Sequence, residues 1–165
     1  MPLIDRNGTI AEQWTREPGA TAGHLIVPLE ALAETLATRR NDQRIGVSLA
    51  NTAVVSDVAD ALDRVALIAI AFPAYNDGRG FTLAKRLRRA GFTGRLRATG
   101  PLIADQFAYA LSCGFDEIEL PEALAARQPV AHWLKAAQSF SAVYQRGYEG
   151  KGSILDQRRT AARHD

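Results

Sequence analysis

A single cysteine, Cys113, excludes an intrachain disulfide. It also excludes an iron–sulfur cluster held by this chain alone, which takes several thiolates. The three histidines, His24, His132 and His164, lie far apart and follow no metal-ligand spacing. No intrinsic iron–sulfur or metal site is therefore expected, and any redox role would use a bound organic cofactor or a partner's metal centre. Long apolar runs are missing as well. Asp, Arg or Pro interrupts each one before it nears the ~20 residues of a membrane helix, so no membrane partner is expected. Met1-Pro2-Leu3-Ile4-Asp5-Arg6 lacks the charged-then-apolar pattern of a signal peptide, which makes the cytoplasm the expected compartment. Neither a Walker motif nor a GxGxxG run is present, so no motif names a nucleotide or another cofactor.

What is present suits one globular domain. With 47% hydrophobic residues over 165 positions, the chain can bury a core without disulfides or metal. Residues 3–10 read as a small hairpin turning at Asn7-Gly8. Residues 19–23 read as a loop, and strands and amphipathic helices alternate after it. Strands are predicted over 24–27, 44–49, 65–72, 95–99 and 116–120. Pro28 suits the first position of a helix that turns Leu29, Leu32 and Leu36 inward. Ser56 is placed to cap a helix burying Val58, Leu62 and Val65. A third helix buries Leu83, Ala84, Leu87 and Ala90 and stops at Gly91. A fourth carries Ile103, Phe107, Ala110 and Leu111 and ends at Gly114. A last one, from Pro129, aligns Val130, Trp133, Leu134, Ala137, Ser141 and Tyr144.

The stretch 65–72 is apolar almost throughout, as in a central parallel strand covered by helices on both faces. Successive βα units with right-handed crossovers then predict an α/β fold. The expected form is an open three-layer sandwich with a mainly parallel sheet of about five strands, preceded by the hairpin. A partial βα barrel is the alternative; a closed eight-fold barrel needs ~200 residues or more. Residues 1–145 are read as a single α/β domain, with the hairpin at about 1–16, and 146–165 as a flexible basic tail.

Charge is distributed unevenly about a net +2. Between residues 78 and 104 there are seven basic residues, Arg79, Lys85, Arg86, Arg88, Arg89, Arg95 and Arg97, and no acidic one. Such a run attracts anions or an acidic protein surface, or is simply a solvated helix face. Lys85, Arg86 and Arg89 are the expected partner-binding residues. In open α/β sheets ligands bind beyond the carboxyl ends of strands. Asp77-Gly78-Arg79-Gly80 follows the most apolar strand and opens a helix. Glycine backbone that can approach a ligand, unpaired N–H groups at the helix start and a guanidinium fork make Gly78, Arg79, Gly80 and Arg97 a candidate site. Its ligand would be an anion such as sulfite, a carboxylate or a phosphate. The competing reading is a tight turn in which Asp77 caps the helix and Arg79 pairs with a carboxylate. Asp77 and Asp105 are the candidate proton carriers, although Asp105 equally suits an early-helix carboxylate favoured by the helix dipole. Cys113 lies near a helix C-terminus, where a thiolate is disfavoured, and is read as a packing residue. His132 is read as a surface residue. The basic segment lacks interleaved aromatics, so nucleic acid is not an expected partner.

Several segments together resemble a known family. They are Ala69-Ile70-Ala71-Phe72-Pro73-Ala74-Tyr75-Asn76-Asp77-Gly78-Arg79-Gly80-Phe81-Thr82-Leu83-Ala84, then Gly94-Arg95-Leu96-Arg97-Ala98-Thr99-Gly100, Asp105-Gln106, Cys113-Gly114-Phe115-Asp116 and Phe140-Ser141-Ala142-Val143-Tyr144-Gln145. Their ordered series, over about Val27 to Gln145, is similar to domain of unknown function 934, with the tail outside it. The resemblance implies a link to assimilatory sulfite reduction, because members are commonly encoded beside a sulfite reductase and often labelled probable oxidoreductases of that process. It transfers no catalytic residue. Three functions follow as expectations: an accessory or electron-transfer partner of sulfite reductase that docks through the basic surface; a small oxidoreductase or other enzyme acting on an oxyanion such as sulfite; or, by analogy with similar sandwiches, a flavin or nucleotide binder.

Overall fold

The computed structural model describes residues 1–17 and 23–139. Seven strands and five α-helices fall within them. The strands are β1 (Leu3–Asp5), β2 (Gly8–Ile10), β3 (His24–Pro28), β4 (Arg44–Leu49), β5 (Leu67–Ala71), β6 (Arg95–Thr99) and β7 (Glu117–Glu119). The helices are α1 (Leu29–Thr38), α2 (Arg79–Arg89), α3 (Phe107–Ser112), α4 (Glu122–Ala125) and α5 (Val130–Ser139). The predicted tail, the closing segment 140–145 and most of the loop 19–23 lie outside the described residues.

The hairpin forms, but it turns on Arg6-Asn7 and Gly8 already opens β2. Asp5 sets that turn by accepting the N–H groups of Asn7 and Gly8 at 2.7 and 3.1 Å. The hairpin is also part of the main sheet. β1 pairs antiparallel with β7, Ile4 opposite Ile118, which gives seven strands instead of about five.

The sheet order is β2-β1-β7-β6-β5-β4-β3, and β3 through β7 are parallel neighbours in chain order. When every step goes to the next strand in the same direction, right-handed crossovers place all the connecting helices on one face. The packing agrees. One core joins Ile45, Val47, Ile68, Ile70, Leu96 and Ile118 from the sheet to Leu32 and Leu36 of α1, Leu83 and Leu87 of α2, Phe107 of α3 and Trp133 of α5. The expected three-layer sandwich is therefore not what the described residues form. They make a sheet with helices on one side, in the sequential strand order of the alternative, a βα barrel. The apolar stretch 65–72 misled because its second face is covered by something other than helices. Leu67 and Ala69 pack with Ile26 beneath the ring of Trp14, on the segment before β3.

Three local expectations also shift. Pro28 closes β3 and sits at the N-cap of α1, one residue before the helix. The helix predicted from Ser56 is replaced by two short 3₁₀ turns, Val55–Asp57 and Ala59–Ala61. Asp57, not Ser56, closes the first by accepting the Val54 N–H at 2.9 Å, a local side-chain bond that competes with continued helix. The helix predicted after Pro101 begins with the 3₁₀ turn Ala104–Gln106 and becomes α3 only at Phe107. Gly91 does stop α2, with φ of 94°.

Candidate functional site

The carboxyl end of β5 runs into the loop that opens α2, and there Asp77 and Arg79 meet. Arg79 donates from Nε to Asp77 Oδ1 at 2.9 Å and from Nη2 to Oδ2 at 2.6 Å, and its backbone N–H also reaches Oδ1. This two-pronged geometry is the strongest form of a guanidinium–carboxylate pair. Arg79, followed by the nearby amide of Asn51, holds the Asp77 carboxyl well below the usual carboxylate range. A proton carrier works best with a pKa near the operating pH, so Asp77 is poorly suited to that role. The expected free guanidinium is thus partly engaged, as in the competing reading of this turn.

The two glycines beside it differ in what requires them. Gly78 has an ordinary φ of −79°, and a Cβ there would meet only Phe81 at 3.9 Å. Gly80 is required, but by the core: a Cβ would run into the ring of Phe72.

Arg97 stands apart from this loop. Its side chain is 1% exposed on the helix-free face of the sheet. Arg97 Nε donates to Glu117 at 2.7 Å, Nη1 reaches Glu119 at 3.3 Å, and both Nη atoms bond Glu12. Arg16 grips Glu119 with two bonds, and Arg95 pairs with Glu117 at 2.6 Å. Burial disfavours the Arg97 charge, but Glu12 and Glu117 outweigh it and raise its pKa. Three arginines and three glutamates make this cluster neutral. Arg97 is therefore not a neighbour of Arg79 in an anion site, because alternation along β6 turns it onto the other face, toward the glutamates of β7. The signal was legible: Arg95 and Arg97 alternate on one strand as Glu117 and Glu119 do on the next.

Asp105 is exposed on the 3₁₀ turn before α3 and lines a cavity of about 750 Å³ with Gln128, His132 and Lys135. It does not line the cleft that holds Arg79. The adjacent Gln106 does tie the two loops together, donating from Nε2 to the Tyr75 carbonyl at 2.7 Å. His132 is exposed, and Cys113 is buried.

The remaining basic residues divide clearly. Arg88 is bound to the carbonyls of Phe92, Gly94 and Gly114 and to Asp116, where it pins the turns after α2 and α3. Arg86 and Arg89 are exposed on α2 and make no ion pair among the described residues. Lys85 sits 4.9 Å over the Tyr109 ring. Burial works against its charge, but Cys113 and Tyr109 outweigh that and raise its pKa. On α2 Arg89 lies four positions from Lys85 and three from Arg86, so it neighbours both, whereas Lys85 and Arg86 are adjacent in sequence and point about 100° apart around the helix.

A cleft of about 380 Å³ runs between α2 and the turn after β4, lined by Arg79, Thr82, Leu83 and Arg86 on one side and 51–54 on the other. Asn51, Thr52 and Thr82 were not singled out from sequence. The spacing of 79, 82 and 86 on one helix stripe was readable, whereas the approach of a loop after another strand was not. Among the described residues no group of three His, Cys, Asp or Glu side chains is placed to hold a metal ion, and no helix is long and apolar enough to cross a membrane.

A family model described as a bacterial protein of unknown function, domain of unknown function 934, matches residues 46–155, about two thirds of the chain. The match begins later than Val27 and continues past Gln145 into the stretch read as tail. A search of curated proteins finds no match.

Proposed function

The chain belongs to the domain of unknown function 934 family, and from that premise, which carries no chemistry of its own, we propose that it is an accessory protein of assimilatory sulfite reduction. In this reading it docks on an acidic surface of the sulfite reductase through Lys85, Arg86 and Arg89. One observation carries the proposal: of seven cations in an acid-free run, four have carboxylate partners within the fold, and the three left over, Lys85, Arg86 and Arg89, have none among the described residues and fall within little more than one turn of α2. An unpaired basic face steers association with an acidic partner at little cost to the free protein. A docking role is favoured over proton-transfer catalysis because Arg79 keeps Asp77 ionised and Asp105 lines a separate cavity.

The test is association of the full chain with the sulfite reductase, followed by interferometry at low and high salt. Binding should weaken as salt rises. Reversing all three charges (Lys85→Glu, Arg86→Glu, Arg89→Glu) should lower association at low salt by ~10-fold or more. Equal binding of the reversed and native chains overturns the docking face. Deletion of the gene tests the process: undiminished growth on sulfate, compared with growth on cysteine, removes sulfite reduction from the proposal.

A further inference from the structure

We propose that the cleft between α2 and the turn at 51–54 is a binding site for a sulfate- or phosphate-type oxyanion. This site does not depend on the docking reading. Its floor and walls carry donors and no carboxylate: Asn51, Thr52, Thr82, Arg79 and Arg86 line it, with no acidic residue among the lining residues. Arg79, Thr82 and Arg86 follow at three, four and seven positions, which aligns them on one stripe of the helix. Arg86 has no carboxylate partner among the described residues, and the hydroxyls of Thr52 and Thr82 make no hydrogen bond there.

Asp77 acquires a role in this arrangement. It binds Nε and Nη2 of Arg79, so the guanidinium is fixed in place while Nη1 keeps its two N–H groups without an acceptor among the described residues. A cation held rigid before the ligand arrives loses less freedom on binding than a free one. Asn51 is only 7% exposed, and its amide lies close enough to Asp77 to help keep that carboxylate ionised, although its Nδ2 completes no well-formed hydrogen bond among the described residues. A buried amide whose donors are incompletely used has capacity left for an added acceptor. Two guanidinium groups line the cleft and no carboxylate does, which favours an anion over a cation there. The volume, about 380 Å³, exceeds that of a bare tetraoxo anion and leaves room for a small group attached to it.

The experiment is calorimetric titration of the full chain with sodium sulfate, sulfite and inorganic phosphate, and with adenosine monophosphate as the arm that carries its phosphate on an organic group. Saturable binding of at least one is expected. Arg86→Gln, an exposed change that leaves the core untouched, should weaken it by ~10-fold, the effect of one charge-assisted hydrogen bond. Thr82→Val should weaken it by a smaller factor without unfolding the chain, as checked by circular dichroism. Preference for adenosine monophosphate identifies a phosphoester ligand, and equal or better binding of the inorganic ions identifies a free oxyanion. No saturable binding in any arm, or binding that Arg86→Gln and Thr82→Val both leave unchanged, overturns the site. Lys85→Gln with Arg89→Gln separates the two proposals. That pair lies outside the cleft and, without adding negative charge beside Arg86, should impair docking while weakening anion binding less than Arg86→Gln does.

Discussion

The arginines of β6 and those of α2 belong to one acid-free stretch of sequence and end in opposite environments. On β6, Arg97 is sealed into the sheet and surrounded by carboxylates from β7 and from the segment before β3. On α2, Arg86 and Arg89 are exposed and have no ion-pair partner among the described residues. Periodicity makes the difference. A strand sends alternate residues to one face, and the neighbouring strand happens to present glutamates at the matching register, Arg97 opposite Glu117 and Thr99 opposite Glu119. A helix with its apolar stripe inward must send its cations outward. A run of positive charge is therefore not a surface property until each residue is assigned to a face. Here the strand half serves the fold, as do Arg79 and Arg88 of α2 through Asp77 and Asp116, and Arg86 and Arg89 are left without an ion pair among the described residues.

The sharpest way to break that contrast is Arg97→Met. It strands Glu117 and Glu119, both almost fully buried, without their central cation. Removing one member of a buried ionic group costs about 3–5 kcal/mol, which urea unfolding would register directly. Adding Glu117→Gln and Glu119→Gln to Arg97→Met should restore a large part of that loss. A loss below ~1 kcal/mol for the single change would show that the cluster does not hold the sheet.

Within α2 the inner face should behave like the strand rather than the outer face. Gly80→Ala drives a methyl group into the Phe72 ring and should cost about 1–3 kcal/mol. Gly78→Ala, two residues earlier, meets only the Phe81 ring at an ordinary contact distance of 3.9 Å and should leave the unfolding midpoint close to that of the native chain.

The cluster around Arg97 should also have a pH signature that the α2 face lacks. Burial raises the Glu12 pKa, but bonds from Arg97 and from the backbone N–H groups of Trp14 and Gln13 outweigh it, so the folded value lies below the usual 4.5. A carboxyl depressed in the folded state stabilises above its unfolded pKa, and that stability is lost as pH falls through the folded value. Native and Glu12→Gln chains should thus differ by about 1 kcal/mol or less above pH ~5, after screening at this partly exposed site, and converge in more acidic solution. A gap that widens toward low pH would contradict the assignment.

The smallest effect belongs to the outer face of α2. Arg89→Glu should change stability by no more than about 0.5 kcal/mol, the range of surface substitutions, in a thermal melt. A larger change would mean that the face has an internal partner after all.

Much of the fold could be read from residue patterns, because those patterns are local. Strand positions, the stripes of α1, α2 and α5, and the stop at Gly91 all follow from short-range periodicity and backbone preference. The layering could not be read that way. The apolar run at 65–72 says that both faces of β5 are covered but not by what, and Trp14 supplies the answer from a segment far away in sequence. The candidate site divides in the same manner. Arg79, Thr82 and Arg86 share a helical stripe whatever the rest of the chain does, while Asn51 and Thr52 join them only because β4 lies beside β5.

By itself, then, the sequence determined the alternation of βα units, the family and the concentration of positive charge after Gly78. The tertiary structure decided which of those charges are neutralised, which remain free, and on which side of the sheet the helices lie. The reason is physical. Period and propensity act within one element, whereas the pairing of a charge and the covering of a face depend on strand order and register, which join residues far apart in the chain.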